Sequence, residues 1–411
     1  MKKISIFGTG NTAKKVYYFL REKYEVISFF DNNTEKIGKY IDEIQIKKWD
    51  KKEFCGQQII IASVWYLEIA KQLSNAGLNL IKDFIPYNCI EPFEDIEYYK
   101  IYQLEQACGQ KVDWSNFIKK DIAIVYGNCQ AGVIQNILQK NSDFNRKYCI
   151  VKIYPVFAWE KKKEEIKEML ENQEFLQKID LFIYQIVQKN NKYDPMLSTD
   201  LIVEKLKNTC KKISFSNMYF KGYFPQIYKN KKSHLRHINA SGTMEYGDKK
   251  IDEFIDMGDD KNIIIQKVLN ERCFSDKEID DNIKKSFEEL KKREDKVQVK
   301  ICDYIQENYR KEQLFYSPNH PSRKLIIEMV RRIFNELGID KFELDESDFY
   351  IESETLKGQD IPIYPEVIKR LGIRRYEKCY YINRYMYENL KFDLCGYIDF
   401  YITDRERKDI I

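Results

Sequence analysis

The sequence has ten cysteines but no C-x-x-C pair, so the paired ligand spacing of a zinc site is missing and no metal centre is expected. Spread over positions 55 to 395, mostly in apolar surroundings, the thiols read as small buried hydrophobes of a reducing compartment. No apolar run approaches the ~20 residues of a membrane span. Met1-Lys2-Lys3-Ile4-Ser5 reads as the entry to a strand and not as a signal peptide, so a cytoplasmic protein is expected. Strong charge of either sign is also lacking: 69 Lys+Arg stand against 65 Asp+Glu, a net +4, too weak a bias for a dedicated nucleic-acid binder. There is no internal repeat and no low-complexity tract. Histidine is scarce, with only His234, His237 and His320 in 411 residues.

What is present suits well-buried cores: 43% of residues are apolar and 14% aromatic. The length fits two domains better than one. The expected fold class is α/β, with a Rossmann-like parallel-sheet domain over 1–95, a connecting segment over 96–118, and a larger SGNH-like α/β domain with helical additions over 119–411.

In the first segment "KISIF" reads as a strand, "NTAKKVYYFLREK" as a helix, "EVISFF" as a second strand, and "QQIIIAS" as a later buried strand before the helix "YLEIAKQLSNAG". Gly8-Thr9-Gly10-Asn11-Thr12-Ala13, between the first strand and helix, fits G-x-G-x-x-A. There Gly8 makes the tight turn, Gly10 lets a ligand approach, and the helix start at Asn11 offers N–H groups to phosphate. Asp31, about 20 residues on, ends the second strand where it can accept from a ribose hydroxyl. The segment has room for about half a dinucleotide fold, so NAD is not implied; the turn holds a nucleotide or nucleotide sugar, or is only structural.

A second α/β pattern begins at Asp121, with strands "IAIVYG", "KYCIVKIYPVF", "LFIYQIV" and "KISFSN". Helices follow, including the charged "EIDDNIKKSFEELKKREDK", which reads as a solvated helix face. "EQLFYS" reads as a strand leading into "PNHPSRKLIIEMVRRIFNELG", a helix entered through Pro321. The Tyr-x-x-x-Lys spacing of Tyr148 and Lys152 lies in a strand pattern, where the two side chains do not stack as they do on a helix, and argues against a dehydrogenase.

The chemistry centres on "YGNCQAG". A strand stops at Gly127 and a helix begins, placing Cys129 at the positive end of a helix dipole. Such a turn favours thiolate and offers N–H groups to an oxyanion, so Cys129 serves as a nucleophile, marks an oxyanion hole, or merely packs. Asn128, Gln130 and Asn319 are the candidate oxyanion or substrate contacts. His320, in "SPNHPS", also lies at a strand end before a helix. If "IAIVYG" and "EQLFYS" share one sheet, Cys129 and His320 converge at its carboxyl edge. Gln185 ends a third strand, where its amide either donates to a carbonyl oxygen or satisfies neighbouring backbone. "YFKGYFPQIY", with Lys221, lines a pocket or is a packed loop. Gly-Asn-Cys resembles the Gly-Asp-Ser block of SGNH-type hydrolases, but cysteine replaces serine, and Ser317 stands where that pattern has an aspartate three residues before the histidine. A carboxylate-oriented triad is therefore in doubt.

With these residues in hand, the chain from about 120 to 411 resembles the WcbI-type polysaccharide biosynthesis family. "GNCQA" (127–131), "IYQ" (183–185), "YFKGYFP" (219–225), "LKKRED" (290–295), "LFYSPNHPS" (314–322) and "IPIYPEV" (361–367) carry the resemblance. It implies an acyl-CoA-dependent O-acyltransferase acting on a sugar of a capsular or other surface polysaccharide. Coenzyme A would be the donor carrier, and Arg323, Lys324 and Lys221 would be available for its phosphates. Cys129, His320 and Gln185 would be the catalytic group. The first 95 residues are similar to the nucleotide-sugar-binding domain of PglD-type sugar acetyltransferases, which implies a nucleotide sugar there and association with glycan-assembly enzymes. The competing readings are an SGNH-like esterase and a non-catalytic nucleotide-sugar-binding protein.

Overall fold

The computed structural model describes residues 1–90, 96–229, 246–270, 273–339, 356, 360–376, 378, 380–381 and 391–406. His234 and His237 lie outside the described residues. Two compact units partition the chain. One comprises Met1–Val125, Arg146–Phe182 and Lys192–Lys211, the other Tyr126–Asn145, Ile183–Asn191 and Lys212–Ile411.

The chain begins β1 (Lys2–Phe7), α1 (Asn11–Leu20), β2 (Tyr24–Phe30), β3 (Tyr40–Ile41), β4 (Ile44–Lys47), β5 (Gln58–Ile61), α2 (Tyr66–Asn75) and β6 (Phe84–Pro86). These strands form a six-stranded sheet in the order β3-β4-β2-β1-β5-β6, parallel except for the β3–β4 pair. Ile4, Ser5, Ile6 and Phe7 are all buried, as a central parallel strand covered on both faces requires. In α1, Ala13, Val16, Tyr17 and Leu20 recur every three or four residues and are its buried face.

Next come β7 (Ile96–Glu97), α3 (Tyr98–Cys108), α4 (Trp114–Phe117), β8 (Asp121–Tyr126), α5 (Cys129–Leu138), α6 (Ser142–Lys147), β9 (Tyr148–Lys152), α7 (Trp159–Glu171), α8 (Gln173–Leu176), β10 (Ile179–Gln185), α9 (Thr199–Lys205) and β11 (Lys211–Phe215). The second sheet has the order β11-β10-β8-β9-β7. Residues 96–118 therefore supply more than a connection: Ile96–Glu97 pairs in parallel with Val151–Lys152 as an edge strand, and α3 packs on α2. The division between units crosses β8, β10 and β11, and the carboxyl ends of these strands belong to the second unit. Tyr148 and Lys152 do lie on a strand, β9.

The second unit continues with β12 (Ile227–Lys229), β13 (Tyr246–Asp248), α10 (Lys249–Asp256), α11 (Lys261–Asn270), α12 (Asp276–Glu294), α13 (Cys302–Asn308), β14 (Phe315–Ser317), β15 (His320–Pro321), α14 (Arg323–Leu337), α15 (Pro365–Leu371), β16 (Tyr380–Tyr381), β17 (Lys391–Phe392) and α16 (Leu394–Glu406). The charge-rich α12 opens on a Ser275–Glu278 capping box and buries Ile279, Ile283, Phe287 and Leu290 along one stripe. α14 starts at the Ser322 cap, ends at the left-handed Gly338, and packs on α5. The condition that "EQLFYS" share the sheet of β8 is not met: Phe315–Ser317 pairs antiparallel with His320–Pro321 as a separate two-stranded hairpin. The prolines explain this, since Pro318 sits in the turn and Pro321 has no N–H to give a sheet ladder. No helix among the described residues is long and apolar enough to cross a membrane.

Candidate functional site

All the groups around Cys129 belong to the second unit. β8 delivers the chain to Gly127, where an added Cβ would stand 2.5 Å from Gln185 Oε1, so the close approach of Gln185 itself requires glycine. Asn128 follows as N-cap of α5, its side chain accepting from the Gln130 N–H at 2.9 Å, while the Ala131 N–H reaches the Asn128 carbonyl at 3.0 Å. The Gln130 N–H, one of the expected oxyanion contacts, donates to the capping side chain. Cys129, the first helical residue, is partly exposed.

Gln130 is fully buried and uses its whole amide. Its Nε2 donates to the carbonyls of Met218 (2.9 Å) and Asn319 (2.8 Å), and its Oε1 accepts from Gln185 Nε2 (2.9 Å) and the Met218 N–H (3.1 Å). Two donors and two acceptor positions exhaust a glutamine side chain. Gln185, 3% exposed, in turn accepts from the Asn128 N–H at 3.0 Å. Of the two roles open to Gln185, the geometry displays the backbone-satisfying one.

This network brings His320 to the turn. Asn319 is held through its carbonyl by Gln130, and its Oδ1 accepts from the hydroxyls of Tyr246 (3.1 Å) and Ser317 (3.3 Å). The Phe220 N–H donates to the Pro318 carbonyl at 2.7 Å, and Asn128 Nδ2 lies 3.4 Å from Asn217 Oδ1. The segments 127–130, 185, 217–220 and 317–320 thus meet at one place, although 317–320 is no part of the sheet of β8. Asn217, Met218 and Tyr246 were not singled out from the sequence. Asn217 follows the strand "KISFS", and the rule that ligands gather at carboxyl ends of strands could have found it; Tyr246 carries no such signal.

His320 faces Ser317 across the hairpin, with Nδ1 buried and without a hydrogen-bond partner. Burial pushes its imidazole down to about 4, because the charged form loses its hydration. Burial therefore favours the neutral ring, with Nδ1 or Nε2 left to accept a proton.

The expected phosphate-binding cations are placed unequally. Arg323 and Lys324 open α14, but the Lys324 ammonium is paired with Glu312 at 2.6 Å. Lys221 sits in a loop that is largely core: Phe220, Tyr223 and Phe224 are buried, and the Tyr223 hydroxyl donates to the Tyr309 carbonyl at 2.7 Å.

In the first unit, Gly8 (φ +117°) makes the tight turn after β1, where an added Cβ would meet the Ala62 carbonyl oxygen at 2.6 Å. Gly10 caps α1 at Asn11. Asp31 accepts from the Thr9 hydroxyl and from the Asn33 N–H (2.8 Å), and faces Lys36 at 3.5 Å. Burial pushes its carboxyl up, but these donors outweigh that and hold it below its ordinary value. No group of three or more His, Cys, Asp or Glu side chains among the described residues is arranged to hold a metal.

Residues 122–341 match the family described as polysaccharide biosynthesis enzyme WcbI, and residues 1–82 match the family described as C2185-like, N-terminal. A solved structure of WcbI, called a novel polysaccharide biosynthesis enzyme, is similar at 22% identity and TM-score 0.56, over 70% of this chain and 91% of that one. It is described as native protein without a disulfide bond between coenzyme A and one of its cysteines. No curated protein matches the chain.

Proposed function

The chain belongs to the WcbI family of polysaccharide biosynthesis enzymes, and from that premise we propose that it is an O-acyltransferase that moves an acyl group, acetyl in the simplest case, from coenzyme A to a sugar hydroxyl of a surface polysaccharide or its precursor. The observation that carries this reading is the joining of the Asn128-Cys129-Gln130 turn to the Asn319-His320 peptide through one buried glutamine amide. The association of coenzyme A with the similar WcbI structure supports coenzyme A as the donor carrier.

In the proposed reaction the neutral His320 imidazole takes the proton of the sugar hydroxyl. The sugar oxygen attacks the thioester carbonyl, forming the C–O bond and a tetrahedral oxyanion. The Cys129 N–H at the start of α5 and the helix dipole stabilise that charge, one good donor contributing roughly 3 kcal/mol. The C–S bond then breaks, and the coenzyme A thiolate takes the proton back from His320. The ring works without an orienting carboxylate, since Nδ1 has no partner among the described residues, which sets it apart from a carboxylate-oriented hydrolase triad.

The position of Cys129 at the first helical residue favours one variation, in which its sulfur accepts the acyl group first and passes it to the sugar. Intact mass after incubation with acetyl-CoA separates the routes. A covalent route gives acetylated wild type, no adduct in Cys129→Ala, and no transfer by that variant; direct transfer survives the substitution. The Gly8–Gly10 turn and Asp31 are proposed as the site of a nucleotide-linked sugar, and thermal stabilisation by nucleotide sugars that is lost in Gly10→Asp tests it.

A further inference from the structure

Arg293, in the last turn of α12, is incompletely hydrogen-bonded among the described residues. Its Nη2 donates to the Tyr219 carbonyl, and its guanidinium lies 5.6 Å from the Tyr219 ring centre. Nε is buried without a hydrogen-bond partner. Among the described residues no carboxylate forms an ion pair with it, although Glu289 and Glu294 are near enough to favour its charge. The neighbouring Glu294 carboxylate is instead turned to the Ile301 and Cys302 N–H groups at 2.7 and 3.0 Å. Among the guanidinium nitrogens, Nη1 is the one neither bonded nor buried.

A half-buried, unpaired cation is costly, and burial does pull the guanidinium below its ordinary proton affinity. Such a group is retained where a ligand supplies the counter-charge, and a planar guanidinium fork suits phosphate oxygens. Its placement agrees. Tyr219 lies between Met218, bonded to Gln130, and Phe220, bonded to the Pro318 carbonyl, so Arg293 is tied to the strip of backbone beside the Cys129–His320 site. The solvated face of α12 thus ends in one half-buried arginine.

We infer that Arg293 binds a phosphate group of a substrate lying along the Tyr219–Phe220 edge of the site. This rests on the acyl-transfer reading for its setting, and the phosphate belongs either to coenzyme A or to a nucleoside diphosphate sugar.

Calorimetric titration of the full chain with coenzyme A, pantetheine, uridine diphosphate and inorganic pyrophosphate, for wild type and Arg293→Met, tests it. Loss of one charge-assisted contact predicts about ten- to hundredfold weaker binding of the phosphate-bearing ligand. A loss for coenzyme A with pantetheine unchanged assigns the donor, and a loss confined to uridine diphosphate assigns the acceptor. Unfolding by urea supplies the control: removing an unpaired buried charge leaves the ligand-free protein as stable or more stable, whereas a purely structural arginine predicts lower stability and unchanged affinity. Equal affinity of both proteins for the ligands that wild type binds overturns the inference. If wild type binds neither coenzyme A nor uridine diphosphate, the acyl-transfer reading fails separately. Pyrophosphate then decides for Arg293: binding lost in Arg293→Met upholds the role, and no binding ends it.

Discussion

The side-chain amide of Gln130 donates to the backbone carbonyl of Asn319 at 2.8 Å, across 189 positions of sequence. That bond places the peptide carrying His320 beside the helix that Cys129 begins. Because the same Nε2 holds Met218 and the Oε1 takes Gln185, the four segments of the site share one buried fastening.

Gln130→Leu should therefore be costly. It leaves the Met218 and Asn319 carbonyls, the Met218 N–H and the Gln185 amide unsatisfied in a dry interior, at about 1–3 kcal/mol per group. We expect a stability loss of about 3 kcal/mol or more by urea unfolding. Transfer should fall further than the folded fraction does, because His320 loses its placement.

Gly127→Ala forces a methyl group to within 2.5 Å of Gln185 Oε1. The amide must swing away from the Asn128 N–H, at a cost of about 1–3 kcal/mol. Thermal unfolding should record the drop, and the double variant Gly127→Ala/Gln185→Ala should lose less than the sum of the two singles.

Folding depresses the His320 proton affinity from 6.5 to about 4, through burial. The unfolded chain therefore binds a proton that the folded chain refuses, and stability falls as pH drops from about 6.5 to about 4, by an amount on the order of 3 kcal/mol. His320→Gln should flatten that part of the curve. In wild type the acid limb of kcat/KM should lie well below pH 6.5, and a limb near 6.5 would show a solvated imidazole.

Asp248 carries the opposite dependence. It caps α10 through the Lys250 and Ile251 N–H groups and accepts from the Tyr364 hydroxyl at 2.9 Å. Burial raises its carboxyl to about 7, against the lowering by these donors. The folded state thus favours the protonated acid, and stability is lost as pH rises from about 4 to about 7. Asp248→Asn keeps the cap without the charge. It should be about 1–3 kcal/mol more stable than wild type at pH 8 by urea unfolding, with the gap closing toward pH 5.

Local signals carried much of this site. The strand-to-helix turn at Gly127-Asn128-Cys129 was legible because apolar alternation, glycine and a capping asparagine act within a few residues, and β1, α1 and β2 were legible for the same reason. Chain neighbours alone do not fix strand partners. "EQLFYS" has the composition of a sheet strand, yet Pro318 and Pro321 turn it into a hairpin. The β3–β4 hairpin is too short for a pattern. The fastening by Gln130 depends on contacts 55 to 189 positions apart, to which no periodicity points. Nor does Arg293 differ in sequence from the solvated lysines around it; only its surroundings mark it.

Acyl transfer with His320 as base has a direct test. The direct measurement incubates the full chain with isotope-labelled acetyl-CoA and a panel of nucleotide sugars and reads the mass of the sugar products. A labelled acetyl ester on a sugar hydroxyl is expected, formed at least about 100-fold more slowly by His320→Ala. An equal rate in that variant, or no labelled sugar while wild type cleaves a simple acetyl ester without coenzyme A, would contradict it.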